Sequence, residues 1–152
     1  MNSRFKKRAA EDHGVTLGEL LIVLMSATIL LSAAIPGVVQ LENEWTLWGG
    51  IGMLETSLQW GRMHAVSANT SLIFMVPDNK TFYWVDPVTG DPYEGSTKQL
   101  PAGLSIAGYP RRPLRFYPHG NAAPSGTYTI TGSAGSYSVI VSPGGRIRVQ
   151  RN

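Results

Sequence analysis

The chain contains no cysteine, so no disulfide staples it, and neither thiol chemistry nor a Cys-ligated metal is open to it. That absence leaves the compartment undecided, because an exported domain can fold without disulfides. Nucleophile elbows, phosphate-binding Gly loops and zinc-protease patterns are missing as well. His64 and His119 stand apart from each other and from any regular ligand spacing. Asp86, Asp91 and Glu94 could offer hard oxygens to calcium, but their spacing is not that of an EF-hand, and Asp-Pro and Gly-Asp read more simply as turns. The expectation is a protein with no catalytic residues, no cofactor and no metal.

Two further absences are local. No charged side chain occurs in residues 20–41, and no acid follows Glu94. The first defines a segment. Residues 15–39 form an apolar run of 25 residues, which as a helix would be about 37 Å long, enough to cross a bilayer. The second defines a charge asymmetry. Residues 1–14 carry Arg4, Lys6, Lys7 and Arg8 against Glu11 and Asp12. Residues 15–110 hold eight acids and three bases, whereas residues 111–152 hold six arginines (Arg111, Arg112, Arg115, Arg146, Arg148 and Arg151). A basic end suggests a polyanion contact or a docking patch; the plainer reading is a solvated sheet face.

A basic leader before an apolar run fits a cleaved secretory signal, a signal anchor or a prepilin. The positive charges place the N-terminus in the cytoplasm and the remainder outside. Small residues at 32–34 would serve signal peptidase, releasing a soluble binding domain. That reading leaves Glu19 unexplained, and the apolar run continues through Val38 and Val39 beyond such a cut. An unpaired carboxylate among apolar helices is expensive, about 2.5–3.5 kcal/mol at a bilayer centre.

The stretch GVTLGELLIVL at residues 14–24 resembles the type III signal of type IV prepilins and type II secretion pseudopilins: a Gly, a hydrophobic first mature residue, Thr-Leu, then Glu at the fifth mature position. The resemblance implies cleavage after Gly14 by a prepilin peptidase and methylation of the new amine of Val15. It also implies a filament role for Glu19, which would neutralise a neighbouring subunit's amine, and a helix-loosening role for Pro36. Val15 departs from the usual Phe, and the leader is long, with acids near the cut.

Past Pro36 and Gly37, Leu47, Ile51, Leu54, Leu58 and Ala65 recur at helical spacing with Gly61 in the remaining slot, predicting an amphipathic helix whose stripe packs on a sheet. Gly49, Gly50 and Gly52 weaken that helix and predict a bend or a close approach. Trp45, Trp48 and Trp60 suit subunit or domain contacts. From Ser71 the period changes to strands. SLIFMV and TFYWV flank PDNK as a hairpin; short strands follow at LSIAG, LRFY, TYTIT, YSVIV and RIRVQ, and SPGG at residues 142–145 makes the last turn. The class is α+β: a long N-terminal helix, membrane-spanning and then amphipathic, on a C-terminal antiparallel sheet or small sandwich. The divisions are a leader at 1–14, an apolar helix at 15–41, an amphipathic helix at 42–68 and a β-rich domain at 69–152.

Residues 58–74, 114–130 and 139–149 resemble, in order, the helix end, the strand–Gly loop–strand and the closing Gly-Arg-x-Arg hairpin of GspH/FimT-type minor pilins. That resemblance implies a structural subunit of a type IV pilus or type II secretion pseudopilus, anchored once in the bacterial inner membrane with its C-terminal domain periplasmic. Other pilins and the prepilin peptidase would be its partners. Some relatives in competent bacteria bind DNA through the Gly-Arg-x-Arg tail, which by similarity points to Arg146 and Arg148, extended here to Arg151, as nonspecific contacts to double-stranded DNA.

Overall fold

The computed structural model describes residues 16–152; the leader, Gly14 and Val15 lie outside the described residues. Helix α1 (Leu17–Ser67) precedes β1 (Leu72–Met75), β2 (Thr81–Val85), β3 (Lys98–Gln99), β4 (Ser105–Gly108), β5 (Leu114–Phe116), β6 (Ala122–Ala123), β7 (Gly126–Gly132), β8 (Gly135–Val141) and β9 (Ile147–Arg151). Pro36 lies inside α1 and does not split it into two elements. Pro36 lacks the N–H that would otherwise reach the carbonyl one turn back, and its ring crowds that carbonyl.

The chain forms two compact units, divided between Val38 and Val39. In the first, α1 exposes its apolar side chains: Leu17, Leu20, Ile22, Leu30 and Leu31 all stand in solvent. Its hydroxyls turn inward along the backbone. Ser26, Thr28 and Ser32 donate to the carbonyls of Val23, Leu24 and Ile29 at 2.8–2.9 Å, which removes their need for water.

The second unit, Val39–Asn152, holds the core. The predicted stripe is buried throughout: Leu47, Ile51, Leu54, Leu58 and Ala65 are at most 2% exposed. Each large aliphatic side chain so buried contributes about 1.5–3 kcal/mol. Two glycines let α1 come close. A Cβ at Gly61 would run into the Trp84 indole, and one at Gly50 into the Leu104 side chain, whereas Gly49 and Gly52 face open space. Of the predicted glycine cluster, only Gly50 is therefore a close approach, and α1 continues through all three. Trp84 is fully buried, and its indole N–H donates to the carbonyl and hydroxyl of Ser57, each at 3.1 Å. The ring thus has an apolar face against Gly61 and a satisfied polar edge.

α1 ends because Asn69 takes a left-handed conformation (φ 49°). The Asn69 N–H then reaches the Val66 carbonyl and the Thr70 N–H the Ala65 carbonyl, a Schellman arrangement that Asn tolerates better than most residues.

All strands pair antiparallel in two sheets, ordered β3-β2-β1-β5-β6 and β4-β7-β8-β9. The choice left open between one sheet and a small sandwich resolves as two sheets. The predicted β1–β2 hairpin is closed by Asp78, whose carboxylate accepts the Lys80 and Thr81 N–H groups at 2.7 Å each. Those bonds hold its carboxyl below the ordinary 3.8. Alternation puts Phe74, Phe82, Trp84, Phe116 and Tyr128 inward. Phe74 meets Trp84 at 4.8 Å and the edge of Tyr128 at 5.3 Å, so one aromatic cluster joins the sheets. Burial pushes the Tyr128 phenol up, keeping that joint uncharged.

Candidate functional site

At the start of α1, Thr16 and Glu19 form a capping box. The Glu19 N–H donates to Thr16 Oγ1 at 3.2 Å, and the Thr16 N–H donates to the Glu19 carboxylate at 3.3 Å. Each side chain satisfies a backbone donor that a helix terminus leaves unpaired. The spacing Thr-x-x-Glu carries this signal in the sequence, so Glu19 has a local capping role besides the filament role the resemblance implies. Glu19 is exposed, so its remaining acceptor capacity faces outward. From there α1 holds an 18-residue window of mean hydropathy 2.2, none of it buried, long and apolar enough to cross a membrane.

Three motif fragments far apart in sequence meet in the second unit. Arg62, near the end of α1, donates from Nε to the Gly120 carbonyl at 3.0 Å. Gly120 (φ +77°) sits in the β5–β6 loop, closed by its own N–H to the Tyr117 carbonyl at 2.8 Å. Gly145 (φ +74°), in the β8–β9 turn, packs directly on them: a Cβ there would strike the Gly120 carbonyl oxygen and stand 2.9 Å from Arg62 Nε. The Ala122 N–H then donates to the Pro143 carbonyl at 2.8 Å. β6 is the edge of one sheet and the β8–β9 turn belongs to the other, so this clasp ties both sheets to the helix. In the sequence these residues fall in three separate fragments, 58–74, 114–130 and 139–149, and nothing in their spacing shows that they touch.

The three arginines proposed for phosphate contact do not share one face. Arg146 lies in the turn just before β9, where its backbone pairs with Ser142. Arg148 is exposed and lies opposite Ile140 of β8. Strand alternation puts Arg151 on the other side with Val149, opposite Tyr137, and its guanidinium lies over the Tyr137 ring, 6.0 Å from the centroid. Tyr137 in turn meets Trp48 of α1 at 5.1 Å. Trp60 stacks on His64 at 4.9 Å, and Tyr93 meets His64 edge-on at 5.0 Å. Asp86 accepts the Val88 N–H through its carboxylate and the Gly90 N–H through its carbonyl, the turn geometry read from Asp-Pro. Among the described residues, no group of three His, Asp or Glu side chains converges as a metal site would.

Residues 53–145 match the family model described as type II transport protein GspH. In fold, the chain is similar to the type IV minor pilin FimU of Pseudomonas aeruginosa PAO1, with a TM-score of 0.58 and 20% identity over 68% of this chain and 87% of that one. It is also similar to the minor pseudopilin EpsH from the type 2 secretion system of Vibrio cholerae, with a TM-score of 0.52 and 14% identity over 64% and 90% of the two chains. No curated protein matches the sequence.

The clasp makes a graded prediction for the unit 39–152. Arg62→Ala removes a charge-assisted bond and should lower stability by about 1.5–3 kcal/mol. Gly145→Ala should cost at least as much, through its positive φ and the collision with Gly120. Gly144→Ala, whose Cβ meets nothing within 4 Å, should change stability by less than about 0.5 kcal/mol. Urea-unfolding midpoints check the order; equal midpoints for the three variants would show that the clasp carries no stability.

Proposed function

The chain belongs to the GspH family of type II transport proteins, and from that premise we propose how it is made into a filament subunit. It is a minor pilin or pseudopilin, a structural protein and not an enzyme, and it assembles with other pilins. In our reading a prepilin peptidase removes residues 1–14, cutting after Gly14, and the new amine of Val15 is methylated. Residues 15–41 then hold the protein in the inner membrane, N-terminus inside and the unit after Val39 in the periplasm, until the helix passes into a pilus or pseudopilus.

The observation that carries this reading is a long apolar stretch in the first part of α1 with none of its described residues buried, its first turn bearing one carboxylate. Among the described residues this surface has no partner, and the exposed rows of Leu, Ile and Val suit either lipid or the helices of neighbouring subunits. Glu19 supplies what lipid alone would not call for. In the free subunit it caps its own helix. In a filament the same carboxylate would face the positive amine of an adjacent Val15, and a matched pair fixes axial register where apolar packing alone would slide. Pro36 fits the same scheme, since one absent N–H allows α1 to unwind locally with little loss.

Glu19→Ala tests the pairing. The variant should be processed and retained in the membrane, yet its recovery in sheared filaments should fall about a hundredfold, as expected when one partner of a buried pair is removed. Recovery equal to the parent would overturn the pairing.

A second reading rests on the other end of the chain. Arg146 and Arg148 are exposed in a region that has no acid after Glu94, which suits nonspecific phosphate contact with double-stranded DNA. With Arg151 turned to the opposite side, the contact reduces to these two. Binding by the unit 39–152 should fall with salt, and Arg146→Ala with Arg148→Ala should flatten the log–log slope by about two, while Arg151→Ala leaves it unchanged. Absence of binding at low salt would make the arginines a solvated face.

A further inference from the structure

Two of the four tryptophans stand in solvent just past the apolar run. Trp45 is 71% exposed and Trp48 is 55% exposed, whereas Trp84 is fully buried. Indole rings are amphipathic and cost free energy when left in water, so a pair of them on one short helical stretch marks a contact. Their position says which kind. The charge-free run ends at Leu41, and Glu42 and Glu44 follow it. As helix, residues 20–41 measure about 33 Å, against a hydrocarbon core of about 30 Å, so the first carboxylates mark the point where the chain leaves hydrocarbon. Trp45 follows Leu41 by about 6 Å of helical rise, within a headgroup layer about 5–8 Å deep where Trp and Tyr collect, and Trp48 follows by about 10 Å, at the outer margin of that layer.

The β-sheet brings a second set of groups to this place. Tyr137 meets the Trp48 ring at 5.1 Å, and the Arg151 guanidinium lies over Tyr137. Arg151 and Glu44 line one small depression with Trp48 and Tyr137. A cation and a carboxylate beside two aromatic rings match a phosphatidylethanolamine headgroup, which carries phosphate and amine together. All these residues belong to the unit Val39–Asn152.

We infer that Trp45, Trp48, Tyr137 and Arg151 form a rim that rests in the periplasmic headgroup layer and holds the folded unit at the membrane surface before assembly. This rests on the reading of residues 15–41 as a membrane span. It gives Arg151 a task separate from that of Arg146 and Arg148.

The full-length protein, reconstituted into phosphatidylethanolamine–phosphatidylglycerol vesicles, supplies the test through its own tryptophans. Lipids brominated near the glycerol backbone should quench its fluorescence more than lipids brominated near the chain ends. The Trp45→Phe, Trp48→Phe double variant should lose most of that quenching, while Trp60→Phe keeps it. Trp84, buried in every variant, provides the constant background. Flotation of the vesicles reports anchoring separately. Protein that floats but whose quenching is the same with and without Trp45 and Trp48 would overturn the rim and leave these rings for a neighbouring subunit. Protein that does not float would overturn the span, and the rim with it.

Discussion

One helix has to satisfy two different surroundings, and the rest of the molecule follows from how it does so. From Leu47 onward α1 buries a stripe of leucine, isoleucine and alanine, and glycines at 50 and 61 admit Leu104 and the Trp84 ring to the helix surface. Before Leu41 the same helix offers leucines on all sides and buries none of them. A soluble fold would not leave that surface bare. The hydroxyls of Ser26, Thr28 and Ser32 already bond helix carbonyls, and Glu19 caps the helix N-terminus with acceptor capacity left over. Apart from that carboxylate, what remains to be satisfied is apolar area, which suits lipid or other helices.

The folded unit is built to carry this helix, not to perform chemistry. Its clasp of Arg62, Gly120 and Gly145 shows that the Gly-Arg-x-Arg hairpin has two physical jobs. The glycine is required by backbone geometry and by contact with the neighbouring loop. The arginines that follow are exposed and free of that requirement. The motif's glycine therefore says that the two sheets are tied together, and says nothing about nucleic acid. Within the motif, the case for phosphate binding rests on Arg146 and Arg148.

Much of the fold could be read from residue patterns. The buried stripe on α1 follows from 3.6-residue spacing, and the longer strands from strict alternation between turn residues. The two-residue strands β3 and β6 escaped, because a pair of residues has no period; they exist only through the strands they border. The cause of the end of α1, the left-handed Asn69, has no signal in the residue spacing. At the sites, Thr-x-x-Glu carried a capping signal that a stronger functional reading of Glu19 obscured. Arg62, Gly120 and Gly145 lie in three fragments far apart in sequence, and only folding shows that they touch. Arg151 was grouped with Arg146 and Arg148 by composition, when the two-residue period of a strand already separates position 151 from position 148.

Val15 and Glu19 matter for assembly only if the leader is removed and the helix is kept, so the decisive quantity is where the mature chain begins. Intact-mass analysis of the protein extracted from membranes measures this directly. The account predicts a chain that starts at Val15 with one added methyl group. A chain starting near Ile35 would contradict it, since the anchor and Glu19 would both have been discarded and a soluble periplasmic domain released.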